Sequence, residues 1–201
     1  MPSRFDNSND LHRPGAGLPK LEHAALDAIF KSTSAILSDK QALRLFRRES
    51  TELMRLCSDD DSYDIFQSLL IPRVIGIEDS SRNWSVLMVM EHLYMTNRDM
   101  LDIVTALMSG IIPRGSVDIA MYKPADDVGY DVLERYQDLT DEYVMAIEGL
   151  LESRGNLHSV ARYRHPWFGP LTAHQWHVLS ALHQRIHRRQ MKKLVAMLGV
   201  T

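Results

Sequence analysis

At 201 residues the chain is long enough for one substantial hydrophobic core and too short for several typical domains. Its 45% hydrophobic and 24% charged residues are ordinary for a soluble globular protein, and a formal net charge of −3 provides no global attraction to nucleic acid or an anionic membrane. One cysteine, Cys57, excludes an intramolecular disulfide and any CxxC site; no apolar run approaches the ~18 residues of a membrane span and none resembles a signal peptide, so the expected setting is cytoplasmic.

Residues 1–19 combine Pro, Gly, Asn, Ser and Asp with almost no apolar periodicity and predict a flexible arm ahead of a single domain spanning 20–201. From Lys20 to Leu37 the spacing of Leu21, Ala24, Ala25, Ala28, Ile29, Ile36 and Leu37 predicts a helix. Ser38-Asp39 then reads as a cap, and Leu43, Phe46 and Leu53 form the stripe of a longer helix running to about Leu56. The acidic stretch 58–62 suggests a short helical continuation through Tyr63 to Leu70, stopped by Pro72. Ile71 to Asp79 has strand-like composition but no partner of comparable quality, and reads as an extended connector.

Asn83 or Ser85 caps a second long helix that continues to about Met108, with Gly110 and Pro113 marking its end. On it Ser85, Met88, Val89, His92, Met95, Thr96, Asp99 and Ile103 share one face, so His92 should point inward. Alone, such a histidine reads either as a hydrogen-bonded core residue or as a ligand. Residues 112–128 form a long loop, either a lid or a plain connector. Val128 to Ser153 is a third long helix, ended by Arg154-Gly155-Asn156.

The fourth helix, Thr172 to Val195, follows an irregular stretch and the Gly169-Pro170 stop; Thr172 and Gln175 have capping-box spacing. Trp176, Ser180, His183, His187, Gln190 and Leu194 fall on one face, while His174, Arg185, Arg188 and Lys192 on the other read as a solvated basic surface. The i, i+4 spacing of His183 and His187 stacks their side chains about 5–6 Å apart at Cβ, which lets both rings reach one metal ion; a hydrogen-bonded, partly buried pair is the alternative. Four long amphipathic helices and no credible sheet predict an all-α bundle with an extra N-terminal helix and long crossover loops.

Several competing sites lack their residues. No Glu-x-x-His exists for a carboxylate-bridged di-iron bundle, and His183-Gln184-Arg185-Ile186-His187 puts Gln where a zincin protease needs its Glu. No Gly-x-Ser-x-Gly elbow is present. His12, His23, His158, His174 and His177 read as ordinary surface or loop residues, and His165 as structural at a turn.

The residues His165, Pro166, Phe168, Gly169, Leu171, Thr172, Trp176, His183, His187 and Gln190 together resemble the last helix of the DinB/YfiT-like superfamily of metalloenzymes, and Trp84-Ser85 followed by His92 resembles its second helix. The likeness covers Trp84 to Met108 and His165 to Leu194 in specific residues. It implies a four-helix up-down bundle, frequently a homodimer, with an open three-histidine site of His92, His183 and His187 at one end of the interhelical groove. Imidazole ligation suits a divalent transition metal, zinc, nickel, iron or copper, with zinc or nickel expected first and iron after them, and helical position makes Gln190, Asp99, Ser180 and Trp176 surrounding or pocket residues. The implied activity is a metal-dependent, thiol-dependent transfer or isomerisation of a small-molecule substrate, the partner being a low-molecular-weight thiol. The alternative is a dimeric metal- or ligand-binding bundle linked to stress response, without turnover.

Overall fold

The computed structural model describes residues 11–58 and 63–199. Among them the chain is all-α in its framework, with helices α1 (Lys20–Ile36), α2 (Asp39–Ser58), α3 (Val86–Met108), α4 (Asp131–Arg154) and α5 (Ala173–Leu198). α5 packs on both α2 and α3, α4 packs on the same two, and α1 lies against α5. None of the described helices is long and apolar enough to cross a membrane.

Local chemistry sets the helix ends. Ser38 and Gln41 form a reciprocal cap at α2: the Gln41 amide donates to Ser38 Oγ at 3.3 Å and the Ser38 amide to Gln41 Oε1 at 2.9 Å. Ser85, not Asn83, caps α3, and its hydroxyl accepts from the Met88 amide. Thr172 and Gln175 make the expected box at α5. Gly155 ends α4 with φ 79°, a left-handed conformation in which a Cβ is unfavourable.

The connectors depart from expectation. Residues 59–62 lie outside the described residues, but Tyr63 to Ser68 is not helical; it turns into β1 (Leu69–Leu70), which pairs antiparallel with β2 (Asn83–Trp84). The Ile71 amide extends the pairing to the Arg82 carbonyl at 3.0 Å, so the stretch between the two strands is a closed excursion. A second ladder joins β3 (Tyr163–His165) to β4 (Gly169–Leu171), where the residue pattern predicts only an irregular stretch.

Residues 11–19 are not a loose arm. The Gly15 and Gly17 amides donate to opposite oxygens of the buried Glu78 carboxylate at 2.9 and 2.8 Å, and the His12 amide donates to Asp79 at 3.1 Å. Both glycines have φ near 80° (80° and 79°), which turns their N–H groups toward one anion. Residues 1–10 lie outside the described residues.

The basic face of α5 is not simply solvated. Glu49 of α2 is fully buried, and Arg48, Arg185 and Arg188 all pair with it; Arg188 is itself only 20% exposed. Burial raises the Glu49 pKa, but the three guanidiniums outweigh it and hold the carboxyl below its usual range. Deeper in, the Tyr136 hydroxyl donates to Gln184 at 2.9 Å and Gln184 donates to Ser50 at 3.1 Å, which ties α4, α5 and α2 through otherwise apolar packing.

Candidate metal centre

His92 comes from the buried stripe of α3, and His183 and His187 stand one turn apart on the part of α5 that faces it. Their Nε2 atoms turn toward one another, with His183 3.3 Å from His92 and 3.1 Å from His187. One donor atom from each ring lies within 4.8 Å of the other two. A tetrahedral zinc ion bound at ~2.0–2.1 Å separates its ligand atoms by roughly 3.3 Å, so the spacing suits one ion between the three rings.

The outer nitrogens determine what the inner ones offer. His92 Nδ1 is 2.7 Å from the Tyr122 carbonyl, which only accepts, so Nδ1 carries the hydrogen and Nε2 presents a lone pair. His187 Nδ1 is 2.7 Å from Gln190 Oε1, and the Gln190 amide nitrogen donates to the Ser81 carbonyl at 2.6 Å. That second bond fixes the amide's orientation, so His187 also directs a lone pair inward. His183 Nδ1 is buried without a hydrogen-bond partner among the described residues. Two lone pairs therefore meet the Nε2 of a third ring that can donate a hydrogen to only one of them.

Electrostatics agree with neutral ligands. Burial lowers the His92 pKa to about 4 against the opposing pull of the Tyr122 carbonyl. Burial, and then the neighbouring imidazoles, push His183 and His187 well below the ordinary range. Trp84 packs around the cluster, its ring centroid 5.1 Å from His92 and its plane 9° from that of His187 at 6.4 Å.

The cluster opens on a cavity of about 540 Å³ bounded by α1, residues 75–81, α3, residues 117–123, the β3–β4 hairpin and α5. Tyr122 links loop to site: it supplies the carbonyl to His92, and its hydroxyl donates to Asp99 Oδ2 at 2.5 Å. Burial, with the Asp99 carboxylate second, pushes that hydroxyl's pKa up. The 112–128 loop is therefore a contact of the site and more than a connector.

Of the surrounding residues named from sequence, Gln190 holds His187, and Asp99 reaches the cluster only through Tyr122. Trp176 forms cavity wall, with its Nε1 donating to the Tyr163 carbonyl at 3.3 Å. Ser180 is elsewhere: its hydroxyl lies 2.5 Å from that of Tyr143 in the helical core. His165 both holds the hairpin turn, its Nδ1 accepting from the Trp167 amide at 3.1 Å, and lines the cavity. His174 and His177 are not surface residues, because α1, α2 and the 157–159 segment cover that part of α5; His177 is fully buried. His23 also has a tertiary partner, the Trp167 carbonyl at 3.0 Å. The Tyr122 carbonyl has no signature in the sequence, and the signal for the Trp84 ring is the Trp84-Ser85 motif ahead of His92.

No protein-family model matches this chain, and no curated protein matches it.

Proposed function

We propose that the chain is a divalent-metal-dependent enzyme of the DinB/YfiT-like kind, a four-helix bundle of α2 to α5 whose His92, His183 and His187 hold zinc or nickel. The observation that carries this reading is the convergence of imidazole nitrogens at 3.1 and 3.3 Å with two outer hydrogens fixed by acceptors. Three neutral ligands leave coordination positions open, and a metal held this way supplies Lewis acidity toward an oxygen or sulfur donor. The chain's own groups have separate duties. The Tyr122 carbonyl and Gln190 orient two of the rings, Trp84 shields them from water, and the Tyr122–Asp99 pair holds a proton inside the same cavity. Thiol-dependent transfer or isomerisation is the reaction class we infer, from the resemblance in sequence.

A second reading, metal or ligand binding without turnover, is favoured by one feature. Both cavity carboxylates are already engaged, Glu78 by Gly15 and Gly17 and Asp99 by Tyr122. Elemental analysis of untagged protein tests the metal reading. About one equivalent of transition metal in wild type, absent from His92→Ala and His183→Ala, is expected. Wild type that takes up none after reconstitution with zinc, nickel or iron overturns it. Turnover with thiol substrates, lost in the same variants, separates the enzyme from the binding protein.

A further inference from the structure

The cavity beside the three histidines has a chemical character that narrows what enters it. Its walls include Ile29 and Phe30 of α1, Ile103 of α3, Phe168 of the hairpin, and Leu182 and Ile186 of α5. A hydroxyl-rich ligand pressed against these six side chains gives up water without finding partners on them, and each hydroxyl buried unpaired weakens binding about tenfold. A methylene buried against the same walls tightens binding about fourfold.

Charge points the same way for the other end of the ligand. The carboxylates in the lining are occupied, as described above. Among its cations Arg185 is bound to Glu49, whereas the exposed Lys123 and Arg189 have no side-chain hydrogen bond or ion pair among the described residues. The imidazoles bring no negative charge, so a divalent ion among them keeps its full charge.

We infer that the cavity takes an amphipathic organic anion, with an aliphatic or aromatic body against the α1, α3 and α5 walls and a carboxylate or thiolate head at the histidine cluster. The position of the head rests on the metal reading; the apolar body does not. An open cavity of about 540 Å³ is within the usual range for a small-molecule site.

Calorimetric titration of the full chain, metal-free and zinc-loaded, with butanoate, hexanoate and octanoate, with the matching alkanethiols, and with gluconate tests both halves. In both forms affinity is expected to rise three- to fourfold per methylene, about 80- to 250-fold from butanoate to octanoate. Zinc loading is expected to tighten every acid or thiol of the series by a common factor of about ten or more. Leu182→Ser combined with Ile29→Ser, at wall positions that are already partly exposed, is expected to weaken octanoate about tenfold or more and butanoate less, while zinc content stays as in wild type. A flat series in both forms, or gluconate binding as tightly as hexanoate, overturns the proposal even if zinc is bound. A chain-length slope without a zinc step upholds the apolar body and removes the metal-bound head. If the protein takes up no zinc, the metal-free series still decides the apolar half by itself.

Discussion

Helix α5 carries two groups of buried or half-buried histidines, and they differ in where their nitrogens point. In the first, His174 sets Nδ1 2.6 Å from the Asp39 carboxylate and Nε2 2.8 Å from the Ser34 carbonyl, while His177 bonds Tyr143 through Nδ1 at 2.9 Å and the Asp39 carbonyl through Nε2 at 3.1 Å. Every ring nitrogen has a partner of complementary type. In the second group, His183 and His187 with His92, the inner nitrogens face only one another. Burial is similar in both, so burial does not distinguish a hydrogen-bonded structural histidine from a candidate ligand. The distinguishing quantity is whether lone pairs have donors to meet.

The sharpest break of that comparison is His183→Ala. It should reduce bound metal from about one equivalent to none, read by elemental analysis, because two imidazoles of different helices hold a divalent ion poorly. In the other group His177→Ala should leave metal content unchanged and cost about 3 kcal/mol in urea unfolding, since it opens a cavity and removes one partner each from the Asp39 carbonyl and from the Tyr143 hydroxyl, which keeps Ser180. Metal loss in His177→Ala that is still folded would erase the distinction between the groups.

A finer test is Gln190→Leu, which removes the acceptor that fixes the His187 tautomer. Chelator competition should show metal affinity falling about 10- to 100-fold with the helix intact.

The smallest expected effect concerns His174, whose two nitrogens both face acceptors and which is therefore held as imidazolium. The Asp39 hydrogen bond raises its pKa first, burial opposes, and the Ser34 carbonyl adds to the rise. Asp39 is lowered in turn: burial works to raise it, but His174 and the Leu157 amide prevail. Because the folded pKa of His174 is above the unfolded value, its stabilisation is complete below about pH 6.5 and is lost as pH rises through the folded pKa. Charged or titratable neighbours are Asp39, His177 and the His158 ring at 6.0 Å. Wild type should exceed His174→Gln in stability by about 1 kcal/mol near pH 6, and by less near pH 9, in paired melting curves. The buried neutral histidines act oppositely in acid, and the paired design cancels them.

Much of the helical framework was legible because its signals are local. Ser85 and Thr172 reach amides three residues on, so their caps depend on nothing distant. The apolar stripes of α3 and α5 likewise announced which faces are buried, and with them His92, His183 and His187. Where the structure departs from these local signals, the deciding partner is remote in sequence. His174 and Arg188 share a polar-looking face, yet one meets Asp39 and the other Glu49, each more than 130 residues away. Residues 12–17 look unstructured until the Glu78 carboxylate stands opposite Gly15 and Gly17.

What the sequence by itself determined is therefore the set of helices, their caps, and the presence of three imidazoles on inward faces, all consequences of spacing within about four residues or of helical periodicity. The tertiary structure alone decided that those imidazoles meet nitrogen to nitrogen, that a backbone carbonyl in the 117–123 loop orients one of them, and that α1 and residues 75–81 wall the cavity beside them. A carbonyl has the same chemistry at every residue, and a wall exists only where elements distant in the chain approach. Periodicity encodes neither.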